Sequence, residues 1–404
     1  QFGFRHNKGT SIALQTLISC IHNKLDQGNS TLGIFLDVKK AFDSVDHKIL
    51  LNKLDKYGIR GTPNNLIKSF LENRSQQVRI NDVLSSLNLL NYGVPQGTVL
   101  GPLLFIVYIN DLLNLDTECS IYCFADDTTI LIHDLNKINL MRKASKIMTS
   151  VKNWFNANSL EINFNKTCYL SFSISKIRSL DINEPIEIHD DKCLSTTGTC
   201  DCNCTYIRGA ESVRYLGVII DRFLKWNLHI DLTIKKLRSM FCRFKALNNI
   251  LSPNNVKMVF CAIAQSVYSY GISVWGGTFD KYLSLLRTTI NSLLRIAFKK
   301  PFRSNTDILF NTYGILNLKK SHAKELLTNL YFLKLDSVSF NHNYSTRNTI
   351  NNVFKINKYN TQFGKKDPFN LGIHLCMQYD IHIKHFYNYD QYKKYVKYKI
   401  KNCL

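Results

Sequence analysis

Ile121-Tyr122-Cys123-Phe124-Ala125, then Asp126-Asp127, then Thr128-Thr129-Ile130-Leu131-Ile132: two apolar runs enclose a pair of acidic residues. Runs rich in β-branched and aromatic residues around a short polar break predict a β-hairpin, here with the acidic pair at its tip. Upstream, Thr31 to Leu36 is a short, mostly apolar run that ends at Asp37. It predicts a buried strand delivering a third carboxylate at its C-terminal end. If these strands are neighbours in one sheet, three carboxylates converge at one edge. Clustered carboxylates repel each other, which favours a cation between them. Hard oxygen ligands suit Mg²⁺, which keeps waters and shares substrate phosphates. Two such ions ~3.5–4 Å apart can activate an attacking hydroxyl and stabilise a departing phosphate. Taken singly, Asp126-Asp127 also reads as a plain turn and Asp37 as an N-cap. Together, in a strongly basic chain, they read as a metal site.

The chain has 404 residues, 45% hydrophobic and 20% charged, a globular composition with room for two to three domains at about 150 residues each. The 52 Lys and Arg against 30 Asp and Glu leave a formal charge of +22. An excess of that size predicts a polyanionic partner, nucleic acid or an anionic membrane surface. Membrane insertion is not expected: the longest apolar run, Val99 to Ile109, is well short of the ~20 residues a spanning helix needs. No secretory segment opens the chain. Twelve cysteines without framework spacing predict a reducing compartment, nucleus and cytoplasm, rather than a disulfide scaffold. A chain that starts at Gln1 without a methionine is expected to be a fragment or a processed product.

The first half reads as mixed α/β. Helical spacing of apolar residues marks Gln15 to Leu25 and Asn136 to Phe155, and a further helix is expected after Asp37, closed at Tyr57-Gly58. Val78-Arg79-Ile80 and Glu161 to Phe172 have strand character. A loop from Gly93 to Gly97 leads into an apolar helix from about Leu100 to Leu113. After a polar stretch from Asp181 to Glu211, amphipathic patterns follow at His229 to Leu247, Asn254 to Tyr270, Lys281 to Phe298 and Leu318 to Leu333. From Asn341 the chain is rich in Asn, Tyr and Lys with weak periodicity.

These residues resemble a known family. Phe35-Leu36-Asp37-Val38-Lys39-Lys40-Ala41-Phe42-Asp43 resembles the first carboxylate motif of the reverse transcriptases of non-LTR, LINE-type retrotransposons, in their insect-like branch. Gly93 through Pro95-Gln96-Gly97 to Gly101-Pro102 resembles the second motif, and Phe124-Ala125-Asp126-Asp127 the catalytic hairpin. Gln1-Phe2-Gly3-Phe4-Arg5 resembles a block of the fingers, while Asn165-Lys166-Thr167 and Tyr215-Leu216-Gly217 resemble two later palm motifs. Six motifs in order from Gln1 to about Gly217 make the resemblance specific. It implies an α/β fold, the α+β palm of a right-hand polymerase with a mostly helical thumb. The expected division is partial fingers at 1–30, palm at 31–220, thumb at 221–335 and a basic C-terminal region at 336–404. An upstream endonuclease and an earlier fingers segment are expected to lie before Gln1.

The resemblance also implies an activity: copying RNA into DNA from a primer 3′-hydroxyl, with nicked target DNA as the expected primer. Asp37 and Asp126 would bind two Mg²⁺ ions, with Mn²⁺ as a substitute, Asp127 as the neighbouring carboxylate and the Val38 carbonyl as an extra ligand. Phe42 would gate against the sugar 2′-hydroxyl, although an isolated Phe on an apolar face is usually core. Pro95, Gln96, Gly97 and Arg5 would lie against the incoming dNTP and the template. Lys166 would protonate the leaving pyrophosphate. Tyr215, Leu216 and Gly217 would form the primer grip, steadying the 3′ end for attack.

Lysines and arginines crowd the helical region. Lys235, Lys236, Arg238, Arg243 and Lys245 fit sequence-independent contacts to a duplex backbone, and a solvated helix face is the plainer reading of about half of such residues. Cys193, Cys200, Cys202 and Cys204 form a cluster, but structural zinc prefers Cys-x₂₋₄-Cys pairs, so a reduced surface loop is the better reading. Two rivals remain. One is a catalytically weak or inactive nucleic-acid-binding remnant of such an element. The other is a telomerase-like cellular relative, which the wording Gly93-Val94-Pro95-Gln96-Gly97 and Phe124-Ala125-Asp126-Asp127 disfavours.

Overall fold

A computed structural model describes the chain except residues 116–117, 175–182, 189–203, 334–358, 380, 382–385, 387 and 404. The chain divides into two compact units. One holds Gln1–Gly9 and Asn29–Tyr215, the other Thr10–Gly28 and Leu216–Leu404. Residues 1–30, expected together as fingers, therefore divide between the units.

The first unit is built on a six-stranded sheet. Its spatial order is Ser120–Phe124, Asp127–Asp134, Ser30–Leu36, Cys168–Phe172, Thr205–Gly209 and Ile186–Ile188. All neighbours are antiparallel except Cys168–Phe172 with Thr205–Gly209, which run parallel. Alternation along the strands separates two faces. Leu32, Ile34 and Leu36, with Ile130, Ile132 and Cys123, belong to one large core. The same core takes Leu140, Ala144, Ile147, Met148, Val151 and Phe155 from the helix Lys137–Ala157, and Leu104, Phe105, Tyr108 and Ile109 from the helix Leu100–Ile109. Phe35 and Thr129, one step out of phase, point to the opposite face. There Gly33 leaves room for rings, since a Cβ on it would come within 2.9 Å of Phe172.

The expected helix after Asp37 is shorter than the pattern suggested. A 3₁₀ turn at Ala41–Ser44 precedes the helix His47–Lys56, whose first turn is capped by the Asp46 carboxylate. The Asp46 side chain accepts from the Lys48 and Ile49 N–H groups at 2.8 and 3.1 Å, so the capping residue sets the start. Inside the core, Lys53 is buried but paired: its ammonium donates to Asp111 at 2.8 Å and to the Tyr108 carbonyl at 2.6 Å. Val78-Arg79-Ile80 supplies only the two-residue strand Arg79–Ile80, paired with Val83–Leu84. Glu161 to Phe172 becomes a bridge at Ile162, a turn, and the strand Cys168–Phe172.

Among the described residues, the regular structure of the second unit is helical apart from the short strand Val218–Asp221. The pattern at His229 to Leu247 resolves into two helices, Asn227–Arg238 and Phe241–Ile250, and Asn254 to Tyr270 into Pro253–Val259, a π-helical stretch Phe260–Gln265 and Ser266–Ser269. Asp280–Ala297 and Leu318–Leu333 lie as the spacing predicts. The helix Thr10–Asp26 belongs here, buried along Leu14, Leu17, Ile18 and Ile21. So do two helices of the weakly periodic C-terminal part, Pro368–Gln378 and Tyr389–Cys403. Tyr392, Val396 and Ile400 join Leu327, Leu330 and Cys376 in their own core. No described helix is long and apolar enough to cross a membrane.

Candidate active site

Strand register brings the carboxylates together. Leu36 pairs with Thr128 in the antiparallel ladder, so Asp37, one residue on, stands opposite Asp127. Asp37 follows the core-facing Leu36 and Asp127 precedes Thr128, the partner of Leu36, so the two acids share the face away from the helices. Phe124 pairs with Asp127, leaving Ala125 and Asp126 as a two-residue turn. Ala125 has φ of 56°, the left-handed region expected at the first central position of a type II′ turn. That conformation usually falls to glycine; here the hairpin carries an alanine in it, of order 1 kcal/mol of strain at a functional tip. The N-terminal segment lies along this hairpin. The Phe2 N–H donates to the Cys123 carbonyl at 2.8 Å, and a Cβ on Gly3 would come within 2.4 Å of the Ala125 nitrogen. Only glycine admits that approach.

Electrostatics records the convergence. The Asp127 carboxyl is pushed up to about 6, by lost hydration first and then by the charges of Asp126 and Asp37. Among the described residues, no three His, Cys, Asp or Glu side chains stand close enough to enclose a metal ion. The donor chemistry nevertheless fits a hard divalent cation: the carboxylates destabilise one another, and a cation relieves that repulsion. Val38 forms an isolated antiparallel bridge with Ile162. The bonds of that bridge run from Asn163 N–H to the Asp37 carbonyl and from Lys39 N–H to the Glu161 carbonyl, at 2.8 and 2.9 Å. The Val38 carbonyl is thereby turned away from that ladder.

A loop meets the 3₁₀ turn after Asp37. The Gly93 and Val94 N–H groups donate to the carbonyls of Val45 and Phe42, both at 2.8 Å. The Gln96 amide donates to Asp43 Oδ1 at 2.9 Å. Gly93 has φ of 91° and a Cβ there would meet Asp43 at 2.9 Å, so this contact requires glycine. The structure thus places Phe42, Pro95, Gln96 and Gly97 in one neighbourhood. Phe42 is half-buried, its ring stacked on Phe105 at 4.4 Å, which satisfies the core reading and leaves part of the ring accessible. Arg5 is exposed and donates to the Gln1 carbonyl at 3.3 Å.

The turn carrying Lys166 adjoins Asp37. Lys166 and Thr167 N–H groups close it on the Asn163 carbonyl at 3.1 and 2.9 Å, and Lys166 is exposed. Tyr215 ends the first unit. It is buried, its ring edge-on to Phe35 at 5.5 Å, and burial raises its hydroxyl pKa. Leu216 and Gly217 open the second unit with φ of 44° and 79°, a sharp turn that the sequence expected as the primer grip. Lys235, Lys236, Arg238, Arg243 and Lys245 are all exposed on the two helices Asn227–Arg238 and Phe241–Ile250.

Sequence reasoning missed Asn163, Asp43 and Gly3, each of which supports a named residue. Asp43 and Gly3 lie inside quoted motifs, and only their contacts reveal what they do. Of the cysteine cluster, Cys193, Cys200 and Cys202 lie outside the described residues. Cys204 is disulfide-bonded, which departs from the reduced loop expected.

The sequence is similar to known proteins. Residues 1–220 match the model of the reverse transcriptase (RNA-dependent DNA polymerase) family. The RNA-directed DNA polymerase from mobile element jockey of Drosophila melanogaster is 27% identical over 322 residues, covering 76% of this chain and 32% of that protein. The probable RNA-directed DNA polymerase from transposon BS, from the same organism, is 24% identical over 318 residues, 75% of this chain and 33% of that protein. The chain spans about a third of the length of these curated relatives. Among solved structures, telomerase from Candida albicans with a fragment of telomeric RNA aligns at a TM-score of 0.41 and 12% identity, over 75% of this chain and 53% of that one. With more than half its length matched, the chain belongs to the reverse transcriptase family, of the non-LTR, LINE type.

Proposed function

We propose that this chain is an RNA-directed DNA polymerase that extends a primer 3′-hydroxyl with dNTPs on an RNA template, the primer being nicked target DNA. The observation that carries the reading is the register that sets Asp37 opposite Asp127, with Asp126 in the turn between the strands. The family depends on divalent metal ions; here the proposal is two Mg²⁺, held by Asp37, Asp126 and Asp127 with the Val38 carbonyl. When bound, such ions supply Lewis acidity to the attacking hydroxyl and the departing pyrophosphate.

The chain's own residues do the rest. Phe42 limits room at the sugar 2′ position, and Gln96, held by Asp43, sets the floor under the incoming nucleotide with Pro95 and Gly97. Arg5 contacts the template side. Lys166, on the turn that abuts Asp37, donates a proton to the leaving pyrophosphate. Tyr215, Leu216 and Gly217 steady the primer end. The exposed cations of the helices 227–238 and 241–250 bind the duplex backbone. The partners are RNA, primer DNA and dNTPs, with an endonuclease region in the full protein, acting in the nucleus and cytoplasm.

Primer extension on a primed RNA template with four dNTPs and Mg²⁺ tests this. Template-dependent extension is expected. Salt-sensitive binding of the primed template without any extension would overturn the reading in favour of a non-catalytic binding remnant.

A further inference from the structure

We propose that Asn163 is a positioning residue that orients the Asp37 carboxylate for cation binding, an inference that rests on the polymerase reading above. Its side-chain amide donates to Asp37 Oδ2 at 2.9 Å, and its own N–H donates to the Asp37 carbonyl at 2.8 Å. Thr167 Oγ1 accepts from the Asp37 N–H at 3.2 Å. One turn, residues 163–167, therefore grips Asp37 at its N–H, its carbonyl and one carboxylate oxygen. A carboxylate left to rotate would present its oxygens in many directions. An amide fixed on one oxygen sets the plane of the group and leaves the other oxygen for a ligand.

The identity of the donor matters. A lysine in this place would neutralise Asp37 and compete with a bound cation. A carboxylate would add repulsion to a cluster that already raises Asp127. A neutral amide does neither, and its hydrogen bond to an ionised acceptor is of the stronger kind. Removing the side chain leaves the backbone bonds of Asn163, Lys166 and Thr167 in place, so the turn is expected to persist in Asn163→Ala.

The test is Mn²⁺ binding, read by electron paramagnetic resonance, on the full chain and its Asn163→Ala, Asp37→Ala and double variants, with circular dichroism melts of each. Asn163→Ala is expected to weaken Mn²⁺ binding about tenfold, the low end of what such outer partners contribute. It should raise the Mg²⁺ needed for half-maximal primer extension by a similar factor. In the Asp37→Ala background the same change should do nothing further, because the residue acts through Asp37. Unchanged Mn²⁺ affinity in Asn163→Ala, or an equal effect with Asp37 already removed, overturns the proposal. A chain that shows the expected binding pattern but extends no primer refutes the polymerase reading and leaves the positioning role standing. A chain that binds no Mn²⁺ overturns both.

Discussion

The two units treat their polar groups in opposite ways. In the sheet unit the acids stand together at one end of neighbouring strands, placed there by backbone register, the hairpin turn and a turn that grips Asp37. Their charges are left in conflict, as the raised Asp127 carboxyl records. In the helical unit several buried polar groups bond to one another. The Asn329 amide donates to the Gln15 side-chain oxygen Oε1 at 2.7 Å and to the Ser11 hydroxyl at 2.9 Å. Asp26 accepts from the Asn360 N–H at 2.8 Å, from the Thr361 N–H at 2.9 Å and from its hydroxyl at 2.6 Å. Three histidines, His22, His229 and His322, are held down to about 4, each chiefly by burial. The difference teaches that the acids at the hairpin are placed for chemistry, whereas pairs such as Asn329 with Gln15 and Asp26 with Thr361 hold the helical unit together.

Substitutions should separate the two. Asp37→Ala is expected to lower primer extension by at least ~10³-fold, on the scale of losing a centre of charge stabilisation, while its melting temperature stays within ~2 °C; a large fall in stability would break the comparison. Acid should act mainly on the helical unit. An unfolded histidine titrates near 6.5 and the folded ones near 4, so the unfolded chain binds more protons between those values. Stability therefore falls as pH falls through that window, by up to about 3 kcal/mol per histidine. Hydrogen exchange at pH 7 and pH 5 should show protection lost sooner in the helices Thr10–Asp26 and Leu318–Leu333 than in the strand Ser30–Leu36. Uniform loss would contradict this.

Asp26→Ala is expected to cost roughly 2–3 kcal/mol, because it orphans the Asn360 and Thr361 N–H groups; denaturant melts of the helical unit's signal check it. The smallest effect has the opposite sign. Asp127 titrates near 6 folded and near 3.9 unfolded, so its charge weighs against the fold as pH rises through that interval. Asp127→Asn should raise the melting temperature of the metal-free protein at pH 7.5 by ~2 °C, about 1 kcal/mol after solvent screening, and the gain should vanish near pH 4.

How much of this was legible follows the same divide. The hairpin, the strand before Asp37 and the apolar helices were readable because a half-buried sheet writes a period of two and a core helix a period near four. The acids were readable because chemistry needs them at strand ends. Helix breaks were not: nothing in Ser239-Met240 announces the end of Asn227–Arg238. Tyr392, Val396 and Ile400 do keep a four-residue spacing, but the lysines and tyrosines between them hid it. The membership of Thr10–Asp26 in the helical unit rests on long-range contacts of Ser11, Gln15 and Asp26, which no local pattern encodes. Asn163 escaped for the same reason, since its partner lies 126 residues away.

The central claim is that the acids at the hairpin tip and the neighbouring strand end perform the reaction without holding up the fold. Primer extension on a primed RNA template, compared between the chain and Asp126→Ala/Asp127→Ala with melts of both, tests it most directly. The expected result is template-dependent extension by the chain, none by the variant, and equal or higher stability of the variant. Extension that survives loss of both carboxylates, or a variant that fails to fold, would contradict it.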